Sequence, residues 1–419
     1  MRNQAVLVNV LVYTFIVLLI AQIGVELVLL FLNAKHVAGH QGTVPESFRG
    51  FCTQEVFDKS LTYTLAKLQF DVLETLFGAM ILAVVILGKW LPWMLDLFGN
   101  VWGSGIWGNA LSFLAIGVVL SIPTLPLEYY NQFALEARFG FNKSTRRLWV
   151  LDKVKELLLS FVIGTPVLAL LLWMVTLYPS TWWFWGFVAL FSFQLLMLIL
   201  YPRLILPIFN KLSPLKDGEL KERLFQLADR TGFSAKTIEV IDGSKRSTHS
   251  NAYFTGFGRF RRIVLFDTLI EQMTHEQIEA VLAHEIGHYK KGHVPKMILM
   301  SGLFTLVGLF CVYWLSLQPA FYEAFGFAPA QGIICIFLLF SYLSGLVTFW
   351  TTPLFNAWSR KHEYEADAFA KLHIGSATPL TSALEKLSEK NLSNLVPHPL
   401  YSTFYYSHPT LLEREQRLL

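Results

Sequence analysis

Seven apolar runs, each long enough to cross a bilayer, limit what this chain can fold into more than any other feature. They fall near 5–32, 66–89, 106–127, 156–178, 182–206, 296–317 and 332–356. Bilayer hydrocarbon offers no partner for a bare N–H or C=O group. A spanning segment must therefore satisfy its backbone within itself, and a run of about 20 apolar residues does so as a helix. Composition points the same way: 54% of the 419 residues are hydrophobic and 15% are charged, against about 25% charged in soluble domains. The first run is too long for a signal-peptide core and is expected to stay as a membrane helix. The fold class expected is an all-α integral membrane protein.

Loop charge sets the expected orientation. The connection between the third and fourth runs carries Arg138, Lys143, Arg146, Arg147, Lys153 and Lys155, whereas 178–181 and 318–330 contain no Lys or Arg. With an odd number of spans and basic loops inside, the N-terminus is expected outside and the C-terminus in the cytoplasm. A formal charge of +4 fits that loop bias and gives no reason to expect a nucleic-acid surface. Trp90, Trp93, Trp102 and Trp107 crowd the turn after the second run, as in an aromatic belt. Cys52, Cys311 and Cys335 have no metal-ligand spacing and read as inert thiols.

The spans divide the chain into four expected regions: 1–207 with spans one to five, 208–295, 296–357 with spans six and seven, and 358–419. The second region reads as soluble. Its stretch 220–231 is amphipathic at helical spacing, and Thr237–Ile241 and Arg262–Phe266 alternate as strands. That strand pair is either a hairpin bracing the next helix or a sheet edge on which an extended peptide can pair. The next helix contains His284-Glu285-Ile286-Gly287-His288, an H-E-x-x-H motif. Residues i and i+4 share a helix face, so both imidazoles can meet one cation, with Glu285 beside the position left for water. A third ligand must come from elsewhere. After the last apolar run, Glu363 and Asp367 lie one turn apart; Glu363 can complete a His₂Glu zinc site and Asp367 can orient a ligand imidazole. His362 and Glu365 are competing ligands on other faces of that helix. His293, His373 and His398 have no motif around them and read as surface or structural, and Arg360 as a partner for a substrate carboxylate or a lipid phosphate.

Further motifs accompany these: Leu-Glu-Ala-Arg-Phe-Gly-Phe-Asn-Lys at 135–143, Phe-Asn-Lys at 209–211, Ser-Asn-Ala-Tyr-Phe at 250–254, Ser-Arg-Lys-His-Glu at 359–363, and Tyr-Ser-His-Pro at 406–409 followed by Leu-Leu-Glu-Arg. In this order, over nearly the whole chain, they resemble the type I CAAX prenyl protease family of membrane-embedded gluzincin metalloproteases. The resemblance implies seven transmembrane helices forming a barrel around a chamber, with a small α+β zinc protease domain and the active site toward the cytoplasm. It implies one Zn²⁺ held by His284, His288 and Glu363, with Glu285 as general base and His408 as oxyanion donor. Asn251 and Tyr253 are expected to bind the substrate backbone.

The expected function is a membrane zinc endopeptidase cutting near the C-terminus of prenylated CAAX-type substrates, in contact with membrane lipid and plausibly monomeric. It would sit in the endoplasmic reticulum membrane of a eukaryote or the inner membrane of a bacterium. One alternative is a bacterial-type protease for unprenylated proteins or peptides. A third reading, a transport chamber with structural zinc, is disfavoured because such sites usually close with a fourth protein ligand, often Cys.

Overall fold

The computed structural model describes residues 2–233, 237–250, 252–255 and 262–418. Among these, seven helices are long and apolar enough to cross a membrane: Asn3–Ala38, Gln54–Leu87, Ile106–Phe139, Arg146–Leu177, Trp182–Phe209, His293–Ser316 and Ile334–Ile374. The third and seventh outrun their apolar sequence. Span three continues through a 3₁₀ turn at Ile122–Thr124, where Pro123 removes a helical N–H, and a π-turn at Asn131–Glu136. Span seven passes through a 3₁₀ turn at Phe349–Thr351 into the helix Thr352–Ile374.

The spans close a ring. One packs on two, three on four, four on five, five on six and six on seven, and seven returns to one, while the helix Trp90–Trp102 links two and three. A helix in a solid bundle buries an apolar stripe. Only 6% of the most apolar part of span five is buried, so that helix is flanked by spans four and six without a packed core behind it. The architecture is a seven-span barrel around a chamber. Lys67, Glu74, Glu128, Gln132, Glu136 and Lys153 line a polar cleft of about 940 Å³, which places these charges where water reaches them.

The tryptophans sit differently from the expectation. Trp90–Trp102 is a helix rather than a turn: Leu91, Met94 and Leu95 are buried while Trp90, Trp93 and Trp102 are exposed. Its two faces suit a helix lying along the membrane surface.

The soluble part holds a four-stranded sheet of β1 (Leu212–Pro214), β2 (Thr237–Ile241), β3 (Ala252–Thr255) and β4 (Arg262–Phe266), in the order β1-β2-β4-β3. The two strands expected from sequence pair in parallel, so they are not a hairpin. Parallel neighbours need a crossover, and the crossover itself supplies β3, which pairs antiparallel with β4 and forms one edge of the sheet. Leu224 and Leu227 from the helix Glu219–Arg230, Ile263 and Leu265 from β4, and Ile278, Leu282 and Ile286 from the motif helix share one core. This unit is tied to the ring by Arg246, which donates to both oxygens of Asp152 at 2.9 and 3.1 Å and to the carbonyl of Phe209 at 2.7 Å.

Candidate active site

The motif helix runs from His275 to Lys290 and starts on a capping box: Gln277 N–H donates to the Thr274 hydroxyl, and Thr274 N–H donates to the Gln277 side chain. Ala280, Leu282, Ala283 and Ile286 are buried and fix the helix's rotation, which turns His284 and His288 toward the helix Thr352–Ile374. The two helices touch at Gly287. A Cβ there would stand 3.0 Å from Ala366 Cα and 3.1 Å from Ala366 O, so a side chain at this position would force the helices apart.

That contact brings Glu363 to the two histidines. His284 Nε2 and His288 Nε2 are 3.1 Å apart, and the Glu363 oxygens lie 3.4 Å from the first and 3.2 Å from the second. A tetrahedral ion with ligand bonds near 2.0–2.1 Å separates its donors by about 3.3 Å, so this triangle has the size that zinc requires. Glu363 Oε2 is buried and accepts no hydrogen bond among the described residues, an orphan that a cation would satisfy. The donor set, two imidazoles and a carboxylate, is one that zinc takes with a coordination position to spare. Asp367 Oδ1 accepts from His284 Nδ1 at 2.8 Å, which leaves the Nε2 lone pair of His284 facing inward.

Two groups to which the sequence assigned no role at the site complete the surroundings. Arg414 is buried and donates to both oxygens of Asp367 at 2.8 and 2.5 Å, with Nη1 3.8 Å from Glu363 Oε2. It comes from the last helix, Leu411–Leu418, where a lone arginine carries no ligand signal. His293, read from sequence as surface or structural, is buried with its Nδ1 3.0 Å from His288 Nδ1 and its Nε2 3.0 Å from Glu365 Oε2. Its five-residue offset from His288 was the available clue. His362, one of the competing ligands, stacks on His293 at 4.0 Å between ring centroids, away from the triangle.

Glu285 lies in a cleft of about 190 Å³ with His284, His288, Glu363, His408 and Val281. Burial raises its carboxyl above the ordinary glutamate range, with His284 and His288 opposing. His408 Nε2 stands 3.5 Å from Glu363 Oε1, and Ser407 Oγ lies 3.0 Å from its Nδ1. Arg360 does not reach for an outside anion: its Nη1 donates to the carbonyl of Tyr406 at 2.6 Å and of Thr403 at 3.2 Å, fixing the turn that presents His408. Ala252 lines the same cleft, so β3 borders the site. Asn251 lies outside the described residues, as does the side chain of Tyr253.

Two family models match the chain: "CAAX prenyl protease N-terminal, five membrane helices" over 33–211 and "Peptidase family M48" over 214–419. The CAAX prenyl protease 1 of Saccharomyces cerevisiae is 39% identical over 392 residues, covering 86% of this chain and 85% of the relative. The human CAAX prenyl protease 1 homolog is 32% identical over 438 residues, covering 93% and 90%. The crystal structure of S. mikatae Ste24p superposes with a TM-score of 0.89 at 36% identity, covering 97% of this chain and 98% of that one. The chain is a multi-pass membrane metalloprotease and belongs to peptidase family M48, among the CAAX prenyl protease 1 homologues.

Proposed function

We propose that His284, His288 and Glu363 hold one zinc ion and that the chain hydrolyses peptide bonds near the C-terminus of prenylated CAAX-type substrates. The observation that carries the metal reading is the donor triangle, with its orphaned Glu363 oxygen facing the inward lone pair of His284. When bound, zinc supplies a Lewis acid that polarises the scissile carbonyl and acidifies water. Glu285 takes the proton of the attacking water and passes it to the leaving amine; burial, by raising its pKa, suits it to hold that proton between the two events. His408 donates toward the oxyanion from the Nε2 that opens into the cleft. The β3 edge offers main-chain hydrogen bonds to an extended peptide. The substrate class rests on the names of the relatives; the active centre facing the cytoplasm rests on the loop charges, in the endoplasmic reticulum membrane of a eukaryotic host.

The test is cleavage of matched farnesylated and unmodified peptides by purified protein, with and without a zinc chelator. Glu285→Gln should abolish hydrolysis while zinc stays bound. Turnover retained in that variant sinks the mechanism. Equal rates on the two peptides sink the prenyl preference and turn the assignment to unprenylated substrates.

A further inference from the structure

Away from the active site, span five ends in a cleft of about 550 Å³ that joins the membrane ring to the sheet. Lys155, Arg203, Lys211, Lys245 and Arg262 line it, against one acid, Asp242. Nothing in the proposed peptidase chemistry uses these cations. We propose that this cleft binds the phosphate headgroup of an anionic phospholipid from the surrounding bilayer.

The charge balance leaves work undone there. Asp242 is committed to the backbone N–H of Lys211 at 2.7 Å. Arg262 is matched by Glu239 at 3.0 Å, and Lys155 shares Asp152 with Arg246. The Nζ groups of Lys211 and Lys245 meet no carboxylate among the described residues, and both side chains are exposed. Two uncompensated ammonium groups over one cleft favour an anion with several acceptor oxygens.

Position selects a lipid over a free anion. One wall is the end of a membrane span, Pro202 to Phe209, and the other is the sheet. From that wall Tyr201, Leu204 and Ile208 are exposed, 59% in the case of Leu204, and on span four Leu151 and Leu158 are exposed at helical spacing from Lys155. A free anion has no use for such side chains; two acyl chains below a headgroup would cover them. The inference does not depend on which peptides the enzyme cuts.

The full chain in detergent is titrated with phosphatidylserine and, in parallel, phosphatidylcholine, with bound lipid counted by native mass spectrometry. Phosphatidylserine should be retained preferentially. Lys211→Gln with Lys245→Gln should weaken it roughly thirtyfold, about fivefold per lysine, while Lys386→Gln with Lys390→Gln, an equal charge change elsewhere, should not. Both double variants should unfold at the wild-type temperature in lipid-free detergent. Should they not, photoactivatable phosphatidylserine on the wild type decides, with cross-links expected within 202–211. Displacement by millimolar inorganic phosphate would overturn the lipid assignment in favour of a general anion site. Equal retention of the two lipids, equal loss in both double variants, or cross-links confined elsewhere would refute the site.

Discussion

Replacing His293 by phenylalanine tests the hydrogen-bond relay behind the donor triangle. With His288 presenting Nε2 to the site, its proton sits on Nδ1 and is donated to His293 Nδ1 at 3.0 Å; His293 in turn donates from Nε2 to Glu365 at 3.0 Å. The chain carboxylate–His293–His288 thus fixes tautomer and ring angle in one stroke. Phenylalanine keeps the ring that stacks on His362 and removes the acceptor. In the metal-free protein the freed imidazole can rotate toward water, but in the loaded protein its Nδ1–H is held against an apolar ring. The penalty, about 1–3 kcal/mol for an unpaired buried donor, therefore falls on the loaded state. At about 1.4 kcal/mol per tenfold, this predicts zinc affinity lower by roughly 10–100-fold. Competition with a chromophoric chelator measures it without any turnover. His293→Asn, whose amide can accept from one neighbour and donate to the other, should recover most of the loss. Wild-type affinity in His293→Phe, or equal losses in both variants, would refute the reasoning.

Three further outcomes follow from the same geometry. Gly287→Val should destabilise by about 1–3 kcal/mol through overpacking against Ala366 and should also weaken zinc binding, read by thermal unfolding and by metal content. Arg414→Met leaves Asp367 buried without its cation and should cost about 3–5 kcal/mol; Arg414→Met combined with Asp367→Asn should cost less than the sum, and additivity would count against the pair. Burial pulls the His284 imidazole down, but the Asp367 carboxylate hydrogen-bonded to its Nδ1 and the Glu363 carboxylate 3.4 Å from its Nε2 outweigh it and hold the group up to about 9. A proton therefore competes with zinc below about pH 9, and zinc affinity should rise with pH by up to tenfold per unit until it levels near there; a flat profile from pH 6.5 to 9 would contradict this.

The spans were legible because lipid leaves so few options for an apolar run. Hydropathy failed where a helix stops facing lipid: span three runs on past 127 through Glu128, Gln132 and Glu136, which line the polar cleft, and span seven runs on to carry Glu363. The i, i+4 rule was enough to pair His284 with His288, and the i, i+4 spacing of Glu363 and Asp367 to put both on one face. It gave no access to Arg414, whose 47-residue separation from Asp367 only tertiary packing can close. Alternation likewise identified Thr237–Ile241 and Arg262–Phe266 as strands without naming their neighbours, because a period of two specifies faces and not partners.

The seventh span has a mechanical meaning. With Glu363 as third ligand, the proposed ion would be held by a soluble helix on one side and by a helix continuous with the barrel wall on the other. Zinc would then act as a rivet between the catalytic unit and the barrel, with Gly287 the washer that lets the two plates lie flush. Bilayer thickness, through its mismatch with that helix, would become a variable of the coordination sphere, and the same protein in thin and thick membranes should hold its metal with different strength.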